Sequence, residues 1–168
     1  MNTDKQKKYK KILILENIRS IYNVGAIFRT ADAIGINKIY LTGYTPSPID
    51  RFGRARKDLH KAALGAEENV EWEHIESKNA AETIQSLKEN SFVTISIEQS
   101  KNSIDYKKMK KEVLNSDCAI VVGNEVDGVS KESLVVSDFI AEIPMNGSKE
   151  SLNVSVATGV ALYGILDR

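Results

Sequence analysis

The stretch Cys118-Ala-Ile-Val-Val-Gly-Asn-Glu-Val-Asp-Gly128 decides the architecture, because an unbroken apolar run stops at a glycine and turns polar at once. A short run without polar alternation predicts a strand buried on both faces, the habit of parallel sheets. Similar runs stand at Ile12 to Leu15, Lys38 to Thr42, Val70 to Trp72, Phe92 to Ile97 and Phe139 to Ile143. Between them Val24, Ile27, Phe28, Ala31 and Ile34 recur at helical spacing, as do Ala80, Ile84 and Leu87. This alternation predicts an α/β fold: a mostly parallel sheet flanked by helices, with ligands received in loops at the carboxyl ends of the strands. No internal repeat or low-complexity stretch interrupts the 168 residues, so 1–168 reads as a single domain. Two segments break the rhythm. Residues 43–57 hold two of the three prolines and are too long for an ordinary connection, which marks a candidate functional loop. The last helix, expected from about Ser151 to Ile165, is apolar on more than one side and should be buried on both, inside the monomer or against a second copy.

Formal net charge is zero, but residues 1–61 carry 13 basic and 5 acidic groups while residues 62–168 carry 10 and 18, leaving the two parts at +8 and −8. Salt screens distant charges, so the basic part can still build a local phosphate-binding face. Its candidates are a basic N-terminal tail over residues 1–11 and the group Arg51, Arg54, Arg56, Lys57 and Lys61, with Tyr44 and Phe52 as stacking surfaces. Solvated lysines on a tail, and an ordered loop with solvated arginines, are the plainer alternatives. The single cysteine, Cys118, lies in an apolar run and reads as a buried strand residue, so no disulfide framework is expected. The early run Ile12 to Leu15 is too short for a signal-peptide core or a membrane span. A soluble cytoplasmic protein is the expectation.

Familiar nucleotide signatures are missing: no Gly-x-Gly-x-x-Gly comes after the first strand and there is no Walker phosphate loop. No metal is expected, since His60 and His74 stand alone in sequence and one cysteine cannot make a zinc site. Three loops remain, each at the predicted carboxyl end of a strand. In Asn23-Val-Gly-Ala-Ile-Phe-Arg-Thr-Ala31, Asn23 is a plausible N-cap, and Gly25 four residues before Arg29 leaves room above the guanidinium for something to approach. A helix-surface salt bridge is the alternative for Arg29. Gly123-Asn-Glu-Val-Asp-Gly128 comes directly after Val122, with Ser130 placed to cap the next helix. The third runs Ile143-Pro-Met-Asn-Gly147 and then Ser151-Leu-Asn-Val-Ser155; Pro144 removes a backbone donor and Gly147 frees the backbone, leaving main-chain groups to meet a flat heterocycle. Ser151, Ser155 and Gly159 would form a small-residue stripe at helical spacing.

Together these loops resemble the three motifs of the SpoU (TrmH) family of RNA 2′-O-ribose methyltransferases, within the SPOUT superfamily. The resemblance covers residues 12–34 and 118–166 closely, and Ile-Pro-Met-x-Gly-x-x-x-Ser-Leu-Asn-Val-Ser-Val-Ala carries most of its specificity. It implies a C-terminal trefoil knot, S-adenosylmethionine as cofactor, and a homodimer whose active sites combine residues of both subunits. By the same resemblance Val122, Gly123, Asn124, Ile143, Met145, Ser151 and Leu152 would hold the cofactor, and Asn23, Arg29, Glu125, Ser151 and Asn153 would stand at or beside the reaction. The substrate would be RNA, with transfer RNA ahead of ribosomal RNA, gripped by Arg51, Arg54, Arg56, Lys57 and Lys61. A catalytically silent RNA-binding protein of the same fold is the contrasting expectation.

Overall fold

The side chains of β1 (Lys11–Glu16) divide between two cores by strict alternation, Leu13 and Leu15 to one and Ile12 and Ile14 to the other. A strand buried on both faces must lie inside a sheet covered on both sides, and the computed structural model, which describes residues 9–75 and 80–167, shows that sheet. Its further strands are β2 (Lys38–Thr42), β3 (Glu71–Ile75), β4 (Val93–Ile97), β5 (Ile104–Asp105), β6 (Cys118–Val122) and β7 (Phe139–Glu142). Their order is β3-β2-β1-β6-β4-β7-β5, and every pairing is parallel. On one face pack α1 (Ile21–Ile34), α2 (Lys57–Ala63), α3 (Ala66–Asn69), α5 (Lys110–Val113) and α7 (Val154–Leu166). The other face carries α4 (Ala80–Glu89) and α6 (Lys131–Val136). No helix among the described residues is long and apolar enough to cross a membrane.

The order of strands positions the site. β6 returns between β1 and β4, and β7 lies on the far side of β4, so the loops leaving β1, β4, β6 and β7 emerge side by side at one edge. Buried Glu16 at the end of β1 accepts from Ser130 N (3.0 Å), Ser130 Oγ (2.7 Å) and Ser133 Oγ (2.9 Å), which ties β1 to the start of α6. Ser130 caps α6 as its position suggests.

Several expectations are corrected. The cap of α1 is Ser20, whose hydroxyl accepts from Asn23 N at 3.3 Å; the helix starts earlier than the apolar spacing suggests, so Asn23 sits in its first turn. α7 starts at Val154, because Asn153 folds its side chain back onto Ser155 N and ends the preceding loop. Ser151 therefore stands outside the helix, and the stripe of small residues is reduced to Ser155 and Gly159. Within the chain α7 is buried on one side only, with Val156 and Tyr163 exposed on the other. The third strand runs five residues from Glu71, and Lys11, counted with the tail, belongs to β1; residues 1–8 lie outside the described residues. Cys118 is buried in β6, where burial pushes its thiol up to about 11.

Candidate active site

The loop after β6 is a closed turn that glycine makes possible. A Cβ on Gly123 would stand 2.2 Å from the carbonyl carbon of Gly128, so only glycine admits this approach. Asn124 and Gly128 exchange backbone hydrogen bonds at 3.0 Å each. The Asn124 side chain pins the turn from inside: Oδ1 accepts from Val126 N (2.7 Å) and Asp127 N (3.0 Å), while Nδ2 donates to Asn17 O (2.9 Å) and Tyr44 Oη (2.7 Å). Asn124 is thus satisfied by its own chain.

Its neighbour Glu125 points at the entrance of α1. The carboxylate accepts from Arg19 N (2.9 Å), Ser20 N (3.1 Å) and Asn23 Nδ2 (3.0 Å). Asn23 Oδ1 in turn accepts from Asn153 Nδ2 at 3.2 Å, and Asn153 Oδ1 accepts from Ser155 N (2.9 Å) and Ser155 Oγ (2.7 Å). Three segments far apart in the chain thereby share one polar relay. Partial burial pushes the Glu125 carboxyl up, but donation from Arg19, Asn23 and Ser20 outweighs it and holds the group below its ordinary range.

Beside the relay opens a cavity of about 240 Å³ lined by Val122, Gly123, Asn124 and Glu125 from the β6 loop and by Ile143, Met145, Ser151 and Leu152 from the β7 loop. All seven residues expected to hold a cofactor line it. Glu98 and Gln99 after β4 and Glu142 at the end of β7 also line it, and none of these three belongs to a loop that the sequence singles out. Among the described residues the lining includes Glu98, Glu125, Asp127 and Glu142 but no lysine, arginine or histidine. Such a wall suits a ligand carrying positive charge and opposes one carrying phosphates.

Arg29 is not brought into the relay. It is exposed and, among the described residues, makes no hydrogen bond or ion pair, so the surface salt bridge is absent. It lies six residues beyond Asn23, about 120° around the helix. The space left by Gly25 is filled by α2 rather than by a ligand: a Cβ there would meet Ala62 Cβ at 2.6 Å and Leu59 O at 2.8 Å.

The long loop after β2 is ordered. Asp50 accepts from Phe52 N (2.8 Å) and Arg54 N (2.9 Å) and pairs with the Arg54 guanidinium at 2.8 Å, while Ile49 and Ala55 form an antiparallel bridge. Exposed Phe52 lies between Arg51 and Arg54, whose guanidinium carbons stand 4.8 and 5.0 Å from its ring centre. Arg51, Arg54, Lys57 and Lys61 are exposed; Arg56 is half-buried with its Nε enclosed and unpaired, so it is less available than its neighbours. His60 does not stand alone in space: its Nδ1 is 2.6 Å from Glu67 Oε1 and, with Glu68, forms a small surface group away from the cavity.

Comparison with known proteins agrees with this geometry. A Staphylococcus aureus protein assigned to the TrmH family of tRNA/rRNA methyltransferases is 34% identical over 165 residues, which is 96% of this chain and 62% of that protein. The chain spans about three-fifths of the length of the curated relatives it matches. Among solved structures, the A. aeolicus TrmH/SpoU tRNA modifying enzyme superposes with a TM-score of 0.80 at 28% identity, covering 95% of this chain and 75% of that one. The AdoMet-bound rRNA methyltransferase from Sinorhizobium meliloti gives 0.79 at 25% identity, covering 93% and 55%. Residues 10–163 match the SpoU rRNA Methylase family, and with the fold and the three loops in agreement the chain belongs to that family.

Proposed function

We propose that this chain transfers a methyl group from S-adenosylmethionine to a ribose 2′-hydroxyl of RNA, with transfer RNA as the first substrate class, and that it acts as a homodimer in the cytoplasm. The observation that carries the reading is the cavity built from the loops after β6 and β7, which combines acidic and apolar side chains in one wall. This donor set fits a sulfonium cofactor with an amino-acid tail: carboxylates for positive charge, and Val122, Ile143, Met145 and Leu152 for a flat ring. When bound, S-adenosylmethionine supplies an electrophilic methyl group. The chain's part is then chiefly to hold the acceptor oxygen in line.

Within this reading Val122, Gly123, Asn124, Ile143, Met145, Ser151 and Leu152 bind the cofactor. Asn23, Glu125, Ser151 and Asn153 stand beside the reaction, and the relay fixes which way the Asn23 and Asn153 amides face. A carboxylate holding three donors is a poor base, so Glu125 orients Asn23 rather than taking the hydroxyl proton. The role of Arg29 is to grip the adjoining phosphate and stabilise the developing alkoxide. Two observations support a second copy: Arg29 has no partner among the described residues, and Tyr22, Val156 and Tyr163 are exposed on α1 and α7. The trefoil knot belongs to the same proposal and is supported by the return of β6 between β1 and β4. Transfer RNA is favoured because the A. aeolicus tRNA modifying enzyme shares the larger part of its length with this chain.

The test is methyl transfer from labelled S-adenosylmethionine to transcribed tRNA and rRNA, with ribose positions mapped by resistance to alkaline cleavage. Label in an alkali-resistant linkage of tRNA is the expected result. Arg29→Ala should keep cofactor affinity and fold but slow transfer by about 100-fold or more, the usual effect of removing a group that stabilises developing charge. Label confined to rRNA would move the substrate class, and label on a base would overturn ribose specificity. No calorimetric signal at millimolar cofactor, with or without RNA, would overturn the reading.

A further inference from the structure

β4 is the strand between β6 and β7, so the residues leaving its carboxyl end stand between the two loops that build the cavity. Those residues are Glu98 and Gln99. Glu98 Oε2 accepts from Val129 N at 2.9 Å, which holds the far end of the β6 loop, and Glu98 Oε1 accepts from Gln99 N at 2.8 Å. The backbone N–H of Glu98 donates to Ala141 O of β7 at 3.0 Å. Gln99 reaches the other way, donating from Nε2 to Glu150 O at 2.6 Å. Among the described residues, that is the one hydrogen bond between residues 144–152 and the rest of the chain. Gly128 is fitted to the same arrangement, because a Cβ there would lie 1.9 Å from Glu98 Oε2. Both side chains also line the cavity.

We infer that Glu98 and Gln99 are positioning residues for the cofactor cavity, a two-armed fastener that sets the distance between the loop carrying Gly123 to Gly128 and the loop carrying Met145 to Leu152. The inference rests on the proposed function for its ligand but not for its geometry. A segment fastened by one side-chain bond changes shape when that bond goes. The wall formed by Met145, Ser151 and Leu152 then loses its register against Gly123. Cofactor bound at saturation holds that wall, Ser151 included, back in register, so the consequence falls on cofactor affinity and not on turnover at saturation.

Two measurements on the full chain decide it. Gln99→Met keeps length and volume but removes the donor; without any ligand, amide hydrogen exchange across 145–152 should quicken while exchange in β4 and β6 stays as in the wild type. Glu98→Gln, which can no longer accept from both amides as a carboxylate does, should quicken exchange at Val129. Each variant should weaken S-adenosylmethionine binding about fivefold, the usual consequence of one lost hydrogen bond, and raise KM for cofactor with kcat within about twofold of wild type. Unchanged exchange in both variants would overturn the fastener even if the chain binds cofactor. A fall in kcat at saturating cofactor would overturn the positioning role in favour of direct participation. If the wild type ignores S-adenosylmethionine, the proposed function fails and the exchange measurement still decides the fastener.

Discussion

At the scale of single residues, Glu125 is the group whose environment makes the clearest demand. Its carboxylate accepts two backbone N–H groups at the mouth of α1 and one amide from Asn23, and these hold its pKa below the ordinary 4.5. A group depressed in the folded state adds stability that is complete above its unfolded pKa and is lost as pH falls through the folded one. Glu125→Gln should therefore be less stable than wild type at neutral pH, and the gap should close as the solution is acidified through and below the ordinary 4.5. Denaturant melts at a series of pH values check this; a gap that widens in acid would reverse the assigned direction. Side chains like this are legible in sequence by type but not by partner. Gly-Asn-Glu marks a loop, whereas its junction with Asn23 joins residues 102 apart in the chain, which no local pattern encodes.

Elements are legible in proportion to their length and burial. β1 and β6 announce themselves as unbroken apolar runs because both faces are covered, while two-residue β5 and four-residue α3 and α5 are too short to show any period. Glu98 and Gln99 escape notice for a different reason: both are ordinary surface types, and their partners lie 31 and 51 residues away. The loop after β2 leaves the carboxyl edge of the sheet, and the exposed arginines beside Phe52 are Arg51 and Arg54, with Arg56 half withdrawn. Replacing Arg51 and Arg54 with alanine should weaken binding to many RNAs alike and lower the salt slope by about one phosphate contact each, leaving cofactor affinity unchanged. RNA affinity across a salt series is the measurement, and equal slopes would place the RNA surface elsewhere. Asp50, which loses its pairing with the Arg54 guanidinium, still accepts from the backbone of residues 52 and 54, so the loop should keep its shape.

For the whole molecule, the proposed dimer makes a demand on Gly159 that the single chain does not. A Cβ there would touch only Thr30 Cγ2, at an ordinary 3.8 Å, so the single chain does not require glycine at this position. Gly159→Leu should then leave an isolated subunit folded while shifting the solution mass from twice 18.6 kDa to 18.6 kDa and abolishing transfer. Light scattering with circular dichroism reads both; a wild-type chain that is active at 18.6 kDa would remove the shared site. The sheet order has a further consequence, for biosynthesis. β1 pairs on one side with β2, soon made, but on the other with β6, where Ile12 meets Ala119. A ribosome adding about 5–20 residues per second needs roughly 5–20 s to cover that interval. Throughout it, β1 keeps one row of amides and carbonyls unpaired. The nascent chain therefore carries an open edge in the middle of its future sheet, so chaperone occupancy during translation should peak after β1 leaves the exit tunnel and fall once β6 has emerged.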